Sequence, residues 1–144
     1  MVTDIRSYFG SHPDDVKLYD TDRLRRDFLV EEIFSADMVH MVYSHNDRLI
    51  IGGAMPVSEE LTLDAVDLIR SSYFCERREV GVICIDGCGV LVVYGREYVM
   101  VYKAAVYVGC GFKVVVFRLV YYMSSAKFYF AFESANMEYP TVYL

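Results

Sequence analysis

A chain of 144 residues that is 55% hydrophobic can fill one core and is too short for two ordinary domains. Its net charge of −6 argues against a nucleic-acid partner, because such binders display a broad basic field. The opening MVTDIRSYFGSHPDD lacks the apolar core of a signal peptide, and no run reaches the roughly 18 apolar residues of a spanning helix; a cytoplasmic protein with no membrane partner is expected.

Residues 1–19 are polar, carry Gly10 and Pro13, and read as an extended N-terminal arm that depends on something else for its order, ahead of a single domain over 20–144. At Asp20-Thr21 a capping residue precedes DRLRRDFLVEEIF, and the spacing predicts one short helix with Leu24, Phe28 and the Leu29-Val30 pair as candidates to face the core. Next, two apolar runs flank Ser44-His45-Asn46-Asp47, the pattern of a strand, a turn and a strand. Over 57–72, acidic Glu59, Glu60, Asp64 and Asp67 are interleaved with Leu61, Leu63, Val66 and Leu68, which fits either a strand and a helical turn or a loop.

The stretch 74–113 dominates the chain. β-Branched and aromatic runs at 80–85, 90–94, 97–102 and 105–108 are separated by Asp86-Gly87-Cys88-Gly89, Tyr94-Gly95 and Gly109-Cys110-Gly111. Strands this regularly spaced predict an all-β sandwich or small barrel. Further strands are expected at 113–118 and 127–132, the second placing Phe128, Phe130 and Phe132 on one core face. Pro140 interrupts the tail, and no periodic element is expected beyond it. From Tyr98 to Phe132 there is no Asp or Glu, and the strands at 98–102 and 114–117 are apolar on both faces, which predicts cover on both sides and hence a partner surface.

Metal chemistry needs several converging ligands, yet His12, His40 and His45 all precede the glycine-rich strands, and Cys75, Cys84, Cys88 and Cys110 lack paired zinc spacing. Hydrogen-bonded loop histidines and four reduced thiols are therefore expected, with Cys84 and Cys88 packing rather than reacting. Glu76-Arg77-Arg78-Glu79 is the densest charge cluster. It reads as an internal Glu/Arg network or subunit contact, or else as a fork for a uronate carboxylate. Gly109 and Gly111 read as turn glycines at positive φ, since no phosphate-loop sequence follows them.

The order of residues in the central stretch resembles a cupin. Glu76 to Glu79 stand where the first cupin motif carries its ligands, Gly109-Cys110-Gly111 where the second has its glycine turn, and Val114 where the second has its histidine. LRRDFLVEEIF, MVYSHNDRLIIGGAMPV, SYFCERREVGVI, AVYVGCGFKVVVF, AKFYF and YPT more specifically resemble the 5-keto-4-deoxyuronate isomerases, ketol isomerases of pectin and uronate catabolism. The resemblance implies a cupin-like β-sandwich or barrel of jelly-roll type with a short N-terminal helix, matching the N-terminal half of an oligomeric two-cupin enzyme.

The family's zinc ligands lie in its second cupin, so the resemblance implies no cofactor and no catalytic or metal residue in this chain. It further implies that this half alone is inactive and works as a homo-oligomer or with a complementary cupin half. His45, Arg48, Arg77 and Arg78 are what it leaves as contacts to the uronate substrate or to an interface. Cys84, Cys88, Tyr94, Ala104 and Cys110 stand where the family carries polar residues. The alternative reading is a non-catalytic cupin module for oligomerisation or sugar binding.

Overall fold

The computed structural model describes residues 3–120, 125–137 and 141–144. In chain order its elements are β1 (Thr3–Tyr8), α1 (Pro13–Val16), α2 (Thr21–Phe28), β2 (Val39–Ser44), β3 (Ile50–Ala54), β4 (Leu61–Thr62), β5 (Arg78–Gly87), β6 (Gly89–Val93), β7 (Arg96–Met100), β8 (Ala105–Val108), β9 (Val115–Leu119), β10 (Ala126–Ser134) and β11 (Val142–Tyr143). Short 3-10 turns lie at Asp67–Ile69 and Phe74–Glu76.

The strands form two sheets, ordered β1-β2-β3-β10-β5-β8-β11 and β4-β9-β6-β7. Strands β3 to β10 pair antiparallel in a nest, first with last: β3 with β10, β4 with β9, β5 with β8 and β6 with β7. That nesting is the double-sheet jelly roll, so the expected all-β architecture is the one observed. Between 57 and 72 the open alternative resolves as a short strand followed by a 3-10 turn.

Alternation builds the core. In β10 Phe128, Phe130 and Phe132 point inward with no exposure, and in β5 Arg78, Val80, Val82 and Cys84 form the inward row. Phe117 packs on Phe128 and Phe130 at ring separations of 5.1 and 5.7 Å, and Phe74 on Phe132 at 4.2 Å. Aromatic rings thus fill the space between the sheets.

Several expectations need correction. Of the Asp20-Thr21 pair it is Asp20 that caps the helix, its carboxylate accepting from the Arg23 N–H at 2.8 Å, but Leu24, Phe28 and Leu29 are exposed and Val30 is only half-buried. The cap and the Arg23–Asp27 ion pair at 3.1 Å support the helix locally, so it forms without burying its apolar side. In the arm, β1 pairs in parallel with β2, and Ile5 packs against the core. After the tail's proline, β11 still pairs with β8, since two residues can join a ladder without any periodic pattern; Pro140 itself lies outside the described residues. Gly111 has φ of 113°, whereas Gly109 is not at positive φ, its N–H donating to the Thr141 carbonyl. Finally, β7 is an edge strand, and Val99 (56%) and Val101 (58%) are exposed, so within this chain that stretch is covered on one side only.

Two turns yield testable outcomes. The β6–β7 hairpin turns on Tyr94-Gly95, with φ of 49° and 79°, so a bulky, exposed tyrosine occupies a left-handed position that Asn or Gly would fill more readily. Tyr94→Asn is expected to stabilise the fold by about 1 kcal/mol, the strain of a left-handed non-glycine residue. A rise in the urea midpoint would show this, and an unchanged midpoint would mean that the ring makes compensating contacts.

Asp37, itself at φ 57°, gathers the following loop onto the β2–β3 hairpin. Its carboxylate accepts from the N–H groups of Val57 and Ser58, both at 2.8 Å, and from the Ser58 hydroxyl. These bonds, the Ser58 hydroxyl foremost, hold its pKa well below the ordinary value of 3.8. A carboxylate depressed in this way stabilises the fold above its ordinary pKa and loses that contribution as the pH falls below it. Asp37→Asn keeps a residue type that tolerates the left-handed backbone. It is expected to lower the melting temperature at neutral pH, with the gap to wild type closing as the pH drops below about 4. A gap that is constant with pH would show that the carboxylate's charge is not what binds the loop.

Candidate functional site

The cleft with the most concentrated charge opens at one end of the sandwich, where β2 ends, β5 begins and β10 ends. It encloses about 360 Å³ and is lined by Arg48, Arg70, Arg77 and Arg78, with Ser71 and Asn136 beside them. No Asp or Glu lines it among the described residues. In a protein of net charge −6, four arginines with no carboxylate among the described lining residues form a basic pocket.

Each arginine arrives differently. Arg78 is the first residue of β5's inward row and is only 7% exposed. Its guanidinium sits 5.6 Å from the centre of the Tyr43 ring, at the end of β2's own inward row, and its Nη1 donates to the Arg48 carbonyl at 2.7 Å. That bond links Arg78 to the β2–β3 turn, in which Asp47 and Arg48 both hold positive φ, 56° and 55°. Arg70 follows the 3-10 turn at Asp67–Ile69 in a left-handed conformation, φ 47°, and Arg77 precedes β5. Two of the four cleft arginines are thus presented by sparsely populated backbone, a feature concentrated at ligand sites.

The expected Glu/Arg network within 76–79 does not form. Glu76 accepts from the Ser72 N–H at 2.7 Å, and Glu79 accepts from the Tyr107 hydroxyl at 2.7 Å. The pleat explains this, because Arg78 points into the sandwich while Glu79 points out of it. No ion pair involves any of the four cleft arginines among the described residues. Among the described residues no side-chain nitrogen or oxygen is both fully buried and unpartnered, so the remaining Arg78 donors are not sealed away without a partner.

Of the residues singled out in the sequence, Arg48, Arg77 and Arg78 come together here and His45 does not. The His45 ring stacks on Phe9 at 4.2 Å and meets Tyr43 edge-on at 4.8 Å. Arg70 went unrecognised in the sequence: a lone arginine after an acidic loop carries no local signal, and only the fold returns it to the strand end.

A zinc ion does not fit the donors present. His12 caps α1, His40 bonds Ser35 at 3.0 Å and Asp4 at 3.4 Å, and His45 is stacked. Among the described residues no three His, Cys, Asp or Glu side chains converge. Cys75, Cys84 and Cys110 are buried, while Cys88 is half-buried. Burial pushes Cys75 up to about 12 and raises Cys84, while the Cys110 thiol donates to the Glu76 carbonyl at 3.1 Å. No helix among the described residues is long and apolar enough to cross a membrane.

No family model matches the chain. Among curated proteins, a 4-deoxy-L-threo-5-hexosulose-uronate ketol-isomerase from Bacteroides fragilis is 44% identical over 140 residues, covering 97% of this chain and 50% of that protein. Proteins of the same name from Lachnospira eligens and Halalkalibacterium halodurans are each 45% identical, over 94% and 92% of this chain and 48% of their own length. The chain therefore spans about half the length of these relatives. Among solved structures, a Cupin 2 conserved barrel domain protein from Salinispora arenicola is 15% identical and covers 60% of this chain and 64% of its own, with a TM-score of 0.44.

Proposed function

The chain belongs to the 4-deoxy-L-threo-5-hexosulose-uronate ketol-isomerase family as a relative of about half its members' length, and on that premise we propose that it is the N-terminal half of such an intramolecular oxidoreductase, acting in pectin and uronate catabolism in the cytoplasm. The observation that carries this reading is 44% identity sustained over 97% of the chain.

Ketol isomerisation moves a proton between adjacent carbons through an enediolate and needs a base placed against the substrate. His40 and His45 are engaged in structural contacts, so the reading assigns proton transfer and the family's zinc to a second cupin half. To this half it assigns scaffolding, with 20–144 as one cupin-like domain, 1–19 as its arm, and His45, Arg48, Arg77 and Arg78 as substrate or interface contacts. The exposed Val99, Val101 and Tyr102 form the surface that a second half or a second copy would cover.

The test is turnover of the 5-keto-4-deoxyuronate by the purified chain, alone and mixed with the complementary half of the Bacteroides fragilis relative. No turnover alone and measurable turnover in the mixture is the expected result. Turnover by the chain alone would place the reacting groups within it. A folded chain that neither associates with the other half nor restores turnover would overturn the enzyme reading in favour of a non-catalytic cupin module.

A further inference from the structure

The arginine cleft carries more positive charge than a single carboxylate can match. One carboxylate accepts one bidentate guanidinium fork, or shares its two oxygens between two guanidiniums. Here four guanidiniums line one cleft, from three separate segments: the β2–β3 turn, the residue after the 3-10 turn at Asp67–Ile69, and the start of β5. Among the described residues none of the four has a carboxylate partner. Arg78, a nearly buried cation held by one backbone carbonyl and the face of Tyr43, is the costliest of them to leave uncompensated.

We propose that this cleft binds a small polyhydroxylated acid carrying two carboxylates. Four guanidiniums in one cleft can hold two carboxylates at once, each gripped by its own fork or pair of forks, whereas a compact phosphate, which arginine clusters also bind, offers only one centre for them to share. Ser71 and Asn136 add a hydroxyl and an amide able to bond ligand hydroxyl groups. The volume of about 360 Å³ lies at the small end of the range for ligand pockets. The inference goes beyond the isomerase reading, which gives Arg48, Arg77 and Arg78 to a one-carboxylate uronate or an interface, and it concerns binding by this chain and not turnover.

Calorimetric titration of the purified chain with D-galactarate, D-galacturonate and inorganic phosphate tests it. Galactarate has a carboxylate at each end of a polyol, galacturonate has one, and phosphate is compact. The expected result is saturable galactarate binding at least about tenfold tighter than either other probe, a difference of about 1.4 kcal/mol, weakening as salt is raised. The double variant Arg70→Gln/Arg77→Gln changes two exposed side chains, and it is expected to weaken galactarate binding at least about tenfold while melting like the parent chain. Equal or tighter binding of galacturonate or phosphate would overturn the two-carboxylate assignment. An absence of saturable binding by any probe, or galactarate binding untouched in a double variant that melts normally, would overturn the site.

Discussion

Gly52→Ala is expected to abolish the folded state of this chain. A Cβ at this position in β3 would lie 2.2 Å from the His40 carbonyl oxygen and 2.6 Å from the Phe130 ring. The first obstacle is backbone of the neighbouring strand, and the second is a core ring that packs on Phe117 at 5.7 Å and Phe132 at 5.2 Å. Neither can move without disturbing the β2–β3 pairing or the aromatic stack, and interiors packed like crystals pass on such strain rather than absorb it. The expected measurement is loss of the cooperative urea transition, or recovery of the variant only as aggregate. Gly81→Ala, where the new methyl would meet nothing within 4 Å, is the matched control and is expected to fold. A Gly52→Ala chain that unfolds at the parental midpoint would show that β2 and β3 do not approach this closely.

Arg78→Met is expected to separate stability from binding. The thioether chain fills similar volume beneath Tyr43 but needs no solvation, and replacing buried charge with an apolar side chain of like size is often neutral or stabilising by about 1–3 kcal/mol. The Arg48 carbonyl loses its 2.7 Å donor, but Arg48 lies in an exposed turn where water can replace it. The urea midpoint should therefore hold or rise, while galactarate affinity falls at least about tenfold. A marked drop in the midpoint would instead assign Arg78 to holding the strained turn at Asp47 and Arg48, and unchanged affinity would remove it from the site.

Much of the sandwich was legible because strands write their burial into the chain with a period of two. Phe128, Phe130 and Phe132 were readable as a core face, and the glycine turns at Gly87 and Gly95 marked strand ends that the structure keeps. The same reasoning failed on Leu24 and Phe28. Helical spacing says which residues share a face, whereas whether anything packs against that face depends on distant parts of the fold. It failed again at Val99 and Val101, where apolar composition implied cover on both sides of a strand that turns out to be an edge.

The sequence by itself determined the class of fold, a helix cap at Asp20-Thr21, the absence of zinc spacing among the cysteines, and the motif order that resembles one half of a uronate isomerase. Those are properties of neighbours along the chain, where turn chemistry and residue period act over a few positions. Tertiary structure alone decided the site. It set Arg78 and Glu79 on opposite faces of β5 although they are adjacent, and it sent Glu76 to Ser72 and Glu79 to Tyr107. It also brought Arg48 and Arg70 to the mouth of the sandwich from segments with no shared motif. Charge complementarity acts through space, and long-range strand pairing determines which charges meet.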